Sequence, residues 1–248
     1  MTKLIVGNKI IECGLVIFDK DATLVDQHLL LLELARARRN SMRKYAGGKV
    51  SQLWERIVGV DLKSGKIDHG GPLGTAPRRQ ELLIASIAFY LNDYLWSEAK
   101  ELAQKAYDNA DNSMKPPYGS VLLEGVTETL EQLKKHGLKL AITSNDIHRR
   151  IEESFRALRI APLFDAMIGS DDVAEVKPSP DMIFEVLRKT GCNPDEAVMV
   201  GDSISDMRMG RTAKVKACIG VLTGFTSREK LEELADVVIP SAASLCAL

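Results

Sequence analysis

One stretch constrains this chain more than any other: Leu15-Val16-Ile17-Phe18-Asp19-Lys20-Asp21-Ala22-Thr23-Leu24-Val25-Asp26. Four apolar residues run straight into an acidic cluster. A continuous apolar run suits a strand buried on both faces of a parallel sheet. The polar residues that follow it then sit at the carboxyl edge of that sheet, where open α/β folds bind ligands. Asp19 and Asp21 repel each other, so a chain that places them together either holds a cation there or keeps one of them protonated.

The rest of the chain supports a parallel sheet. From Gly125 onward, strand and helix patterns alternate: helix to His136, strand Leu138 to Thr143, helix Ile147 to Leu158, strand Phe164 to Ile168, helix Pro180 to Thr190, strand Ala197 to Val200, helix Ser205 to Thr212, strand Val215 to Ile219, helix Ser227 to Leu234 and strand Val237 to Ile239. Such alternation means right-handed crossovers and helices on both faces. Lys3 to Val6 and Ile10 to Cys13 flank Gly7-Asn8, the pattern of a small hairpin leading into the first sheet strand.

The segment 27–115 breaks the alternation and reads as helix and loop. Leu29 to Leu32, Leu34, Ala35 and Met42 recur with helical spacing up to about Gly48. Ser51 is expected to cap a second helix through Val58, Thr75 one from Pro77 to about Leu91, and Ser97 one reaching Asn109. Between them, 64–77 is rich in Gly and Pro and reads as loop. The expected architecture is therefore α/β: a Rossmann-like three-layer core from 1–26 and 116–248, with an inserted all-helical domain at 27–115.

Composition narrows the function. With 45% hydrophobic and 27% charged residues and a net charge of −1, the chain gives no basis for nucleic-acid or membrane binding. The inserted segment is mildly basic and the remainder acidic, which fits an anionic substrate. Cys13, Cys192, Cys218 and Cys246 are scattered without a CxxC pair, which favours a reducing compartment, and the expected location is cytoplasmic. The sequence sets no oligomeric state.

Reactive residue types recur at the expected strand ends. Strand Leu140 to Thr143 runs into Ser144-Asn145-Asp146. Lys177 precedes Pro178-Ser179-Pro180. Strand Val198 to Val200 runs into Gly201-Asp202-Ser203, with Asp206 four residues beyond Asp202. Taken singly, Ser144-Asn145 reads as a turn, Lys177 as a surface lysine, and Asp202 and Asp206 as acids at a helix start. Their common edge and their order are what matter.

In that order these stations resemble the four motifs of the haloacid dehalogenase-like (HAD) hydrolase superfamily, in its branch with a helical cap similar to phosphoglycolate phosphatase. The resemblance implies Mg²⁺ as cofactor and a small phosphorylated metabolite as substrate. It implies Asp19 as nucleophile forming an aspartyl-phosphate, and Asp21 as general acid and then base. Ser144, Asn145, Lys177 and the backbone at Ala22 hold phosphate. The Asp19 side chain, the Asp21 carbonyl and Asp202 hold the metal, with Asp206 reaching it through water. Ala22 stands where the family has Gly, so a positive φ there is costly. His69, Arg78 and Arg79 in the inserted segment are candidate substrate contacts. Phosphomutase chemistry on the same residues, and a phospho-accepting receiver-like signalling module, are the alternatives.

Overall fold

The computed structural model describes residues 1–68, 70–76 and 78–248. Along the chain the strands are β1 (Thr2–Val6), β2 (Lys9–Cys13), β3 (Leu15–Asp19), β4 (Val60–Asp61), β5 (Lys66–Ile67), β6 (Lys139–Thr143), β7 (Ala166–Ile168), β8 (Ala197–Gly201), β9 (Ala217–Val221), β10 (Val237–Ile239) and β11 (Leu245–Ala247). The helices are α1 (Gln27–Val58), α2 (Pro72–Thr75), α3 (Arg78–Tyr90), α4 (Trp96–Ser113), α5 (Val126–Lys135), α6 (His148–Ala157), α7 (Asp181–Thr190), α8 (Ile204–Ala213) and α9 (Arg228–Glu232). They gather into two compact units, 1–27 with 120–248, and 28–119.

In the first unit, a six-stranded sheet runs in the order β10-β9-β8-β3-β6-β7, with every pairing parallel. β3 lies in its interior, and Leu15 to Phe18 are wholly buried. The side-chain period of two splits this run between faces. Val16 and Phe18 join Leu140, Val198 and Val200 against Leu130 of α5 and Phe155 of α6. Leu15 and Ile17 join Ala141 and Met199 against Ile183 of α7 and Met207 of α8. A strand buried on both faces can be apolar throughout, which is why no alternation shows in its sequence.

The expected hairpin forms, but not as a lead-in to the main sheet. β1 pairs with β2 and with β11 in a separate antiparallel sheet of order β11-β1-β2. β11 carried no recognisable signal, because three residues with Cys246 exposed show too little periodicity.

Among the described residues, the regular structure of the second unit is helical except for the short β4-β5 ladder. The stretch 64–77, read as loop, thus contains β5 and α2. The Asp61 carboxylate organises the turn, accepting the Lys63 N–H at 3.0 Å and the Ser64 hydroxyl at 2.7 Å. Gly47, at φ 75°, kinks α1 where two helices were expected. Ser51 lies within α1, and its hydroxyl donates to the Gly48 carbonyl at 3.0 Å instead of capping a new helix. Ser97 is not a cap either. Leu95 takes that position, its N–H satisfied by Glu98 Oε2 at 3.2 Å. The expected helix start at Pro77 and the Thr75 side chain lie outside the described residues. Trp54, Tyr107 and Phe89 fill this unit's core. The Trp54 indole N–H donates to the Tyr107 hydroxyl at 2.9 Å.

Candidate active site

The carboxyl edge of β3 ends in Asp19, opposite Thr143 of β6. The next residues turn at once: the Lys20 carbonyl accepts the N–H groups of Leu24 and Val25, both at 3.0 Å. Ala22 sits at φ 61° in the left-handed region, where a side chain with a Cβ is strained.

Lys177, from the loop before α7, reaches the same edge. Its Nζ is 2.5 Å from Asp19 Oδ1 and 2.8 Å from Asp206 Oδ1. Asp181, in the first turn of α7, holds that loop by accepting the Ser179 hydroxyl at 2.8 Å. Asp206 belongs to a capping box at the start of α8: Ser203 Oγ accepts its N–H, and its Oδ2 accepts the Ser203 N–H at 3.1 Å. One helix start therefore fixes Asp206, and Asp206 helps fix the lysine. Asp19, Asp202 and Asp206 each offer an oxygen within 4.8 Å of the others.

Charge at this edge is unbalanced. Burial raises the Asp19 carboxyl to about 7, with Asp206 and Asp21 adding to the rise and Lys177 opposing it. Asp202 is pushed well above the ordinary carboxylate range by burial and by Asp19 and Asp206. Burial works against the Lys177 charge, but the two carboxylates hold its pKa above the usual lysine value. Three acids around one lysine, all offering hard oxygen atoms, suit a hard divalent cation such as Mg²⁺.

The pH dependence has a definite sign. Asp19 has a folded-state value near 7 against an ordinary 3.8. Its contribution to stability is present in full below the unfolded value and is lost as pH rises through the folded one. A cation that binds the ionised acids offsets this loss. Mg²⁺ is therefore expected to raise Tm by about 3 °C or more at pH 8 and by less at pH 5. Thermal melts of the wild type and Asp202→Asn, with the gain lost in the variant, check it.

Ser144 is buried behind β6, its N–H bonded to the Ile168 carbonyl at 3.0 Å and its hydroxyl accepting the Asp146 N–H at 3.1 Å. Asn145 is exposed. Asp21 retains partial exposure beyond the strand end. In the second unit, Arg78 is bound to Asp111 at 2.6 Å and lies over the Tyr107 ring, so its guanidinium is already engaged. Arg79 is exposed beside a groove with Lys100. His69 lies outside the described residues.

Lys20 escaped the sequence reading, and Thr223 and Gly224, which lie in a stretch that also looks familial, were given no role there. Lys20 is buried, with Nζ 2.9 Å from Asp146 Oδ2 and 3.3 Å from Asp21 Oδ1. It ties the β3 turn to the loop after β6; a lysine flanked by two aspartates was the available signal. The Thr223 hydroxyl donates to the Ala22 carbonyl across 201 residues of sequence. Gly224 lies so close to Asp202 that a Cβ there would stand 1.8 Å from Oδ2. Gly224→Ala must displace that carboxylate. It is expected to weaken Mg²⁺ activation at least about tenfold, measured by titrating activity against the metal.

A parallel α/β sheet that gathers three carboxylates and a lysine at its carboxyl edge defines an enzyme class with an acidic, cation-ready centre. The haloacid dehalogenase-like hydrolase family model matches residues 81–220, more than half of the chain, and the chain belongs to that family. A phosphoglycolate phosphatase of Pseudomonas putida is 28% identical over 221 residues, 85% of this chain and 70% of that protein. One of Aquifex aeolicus is 26% identical over 83% of this chain and 84% of its own length. A solved HAD-superfamily hydrolase of subfamily IA from Geobacter sulfurreducens has a TM-score of 0.64 over 94% of this chain and 95% of that one. Its 19% identity bears on the fold alone. No helix among the described residues is long and apolar enough to cross a membrane.

Proposed function

We propose that this chain is a Mg²⁺-dependent phosphatase acting on a small phosphomonoester, of the phosphoglycolate or sugar-phosphate type, through an aspartyl-phosphate on Asp19. The carrying observation is the Asp19–Lys177–Asp206 chain beside Asp202. Lys177 donates to one Asp19 oxygen and so holds the carboxylate in place for its attack on phosphorus. As the P–O bond to the leaving group breaks, Asp21 gives its proton to the departing alkoxide. The resulting Asp21 carboxylate then takes a proton from water, whose oxygen attacks the aspartyl-phosphate. Inorganic phosphate leaves and Asp19 is restored.

Ser144 and the turn N–H of Asp21 bind the phosphoryl oxygens, and Lys177 carries positive charge to the same place; the Ala22 N–H, assigned to phosphate from the sequence, is instead held by the Val25 carbonyl at 2.8 Å. Asp19 and Asp202 would be the direct carboxylate ligands in this reading, and Asp206, whose oxygens also hold Lys177 and Ser203, would reach the ion through water. Bound Mg²⁺ supplies the charge neutralisation that lets a dianionic substrate meet these acids. The names of the phosphoglycolate phosphatase relatives support the substrate class. The inserted segment, 27–115 by the sequence reading, acts as the substrate-selecting cap.

A panel of phosphorylated metabolites, assayed for phosphate release with and without Mg²⁺, tests the proposal. Mg²⁺-dependent release from a small phosphomonoester is expected. A sugar phosphate isomerised without release would indicate a mutase. A stable phosphoprotein without turnover would indicate a signalling module.

A further inference from the structure

α3 is apolar on two sides. Ala85, Ala88 and Phe89 are buried in the core of its unit. Leu83, Ile87, Tyr90 and Leu91 lie on the opposite side at spacings of three and four, the spacing of one helix face. Leu83 is 50%, Tyr90 53% and Leu91 61% exposed. Leu95 and Trp96 continue the stripe past the helix end, with Trp96 edge-on to Tyr90 at 5.9 Å. Charged residues ordinarily cover the outer face of such a helix. A contiguous apolar patch of this kind marks an association surface.

The charges at its two ends identify the occupant. Arg79 lies one turn before Leu83 and Asp93 just beyond the last turn, both exposed; the ion pairs to Asp108 and Asp111 are made by neighbouring Arg78, and none among the described residues involves Arg79 or Asp93. A second α3 laid antiparallel across the first, about a twofold axis near Ile87, sets Leu83 against the partner's Tyr90. It also sets Arg79 against the partner's Asp93, and the symmetry repeats both contacts. A parallel arrangement sets Arg79 against the partner's Arg79 and is repelled. Beside Leu83, between α3 and α4, lies a groove of about 580 Å³ lined by Leu82, Ser86 and Lys100 among others, with room for the partner's aromatic ring. We propose that this face pairs two copies of the chain in an antiparallel α3–α3 dimer.

Sedimentation velocity on the full chain at micromolar concentration tests this. The wild type is expected as a dimer. Ile87→Glu, an exposed position where two carboxylates would meet on the axis, is expected to give a monomer with unchanged far-UV circular dichroism. Arg79→Glu and Asp93→Arg should each weaken association about tenfold, and the double variant should recover it. A wild-type monomer, a dimer that survives Ile87→Glu, or a double variant no better than the singles would each overturn the proposal. A monomer whose patch binds an apolar dye would instead point to a different protein partner.

Discussion

Asp19→Asn is expected to lower kcat by about four orders of magnitude while leaving the fold at least as stable as the wild type. The amide keeps the shape of the side chain, and its oxygen still accepts a hydrogen bond from Lys177, so the site stays assembled. It loses the anionic oxygen that attacks phosphorus, and losses of this order follow removal of a covalent nucleophile. The stability expectation has a separate basis. Burial and two neighbouring acids disfavour the Asp19 charge, so a neutral group of the same size removes repulsion. Single-turnover rates and urea unfolding without Mg²⁺ measure the two effects side by side. Turnover near the wild-type rate sinks the nucleophile assignment. Inactivity with an unfolded protein sinks the stability argument.

Lys177→Met should be the most destabilising single change at the site. Lys177 is the buried cation between Asp19 and Asp206, and the side chains of all three are largely buried. Removing one partner of a buried ion pair costs about 3–5 kcal/mol, because the remaining charge is left uncompensated. The acids can relieve this by binding protons, so the loss should be largest above pH 7 and smaller near pH 5. Urea unfolding at both pH values checks the size and the sign. A loss below about 1 kcal/mol at pH 8 would mean that water reaches the pair and that the lysine is not the electrostatic centre of the site. Catalysis should fall as well, by about 10²-fold or more, because the phosphoryl group loses its positive partner.

Much of the core was legible because its signals are local. The apolar run before Asp19, the alternation after Gly125 and the strand ends at Thr143 and Val200 reflect periodicities the backbone imposes on any sequence. At Ala22 the resemblance marked only a cost should φ be positive, and it was the structure that placed φ at 61°. The capping errors arose where local rules compete. Ser51 had a cap's chemistry, but α1 continued through the Gly47 kink and the hydroxyl bonded backward to Gly48. Lys66 and Ile67 sit in a Gly-rich stretch and still form a ladder, because Asp61 closes the turn. The roles of Lys20, Thr223 and Gly224 went unread for a different reason. Thr223 and Gly224 act on groups across the fold that their chain neighbours do not record, and Lys20, though flanked by Asp19 and Asp21, has its tighter partner in Asp146, 126 residues away.

By itself, the sequence determined that a buried strand would present Asp19 and Asp21 at the edge of a parallel sheet, since an apolar run ending in acids has few other resting places. Tertiary structure alone decided that Lys177, 158 residues from Asp19, would sit between it and Asp206. It likewise decided that Gly224 would leave room for the Asp202 carboxylate. The division has a physical cause. Backbone periodicity is set by neighbours in the chain, whereas burial, desolvation and ion pairing depend on which distant segments the packed sheet brings together.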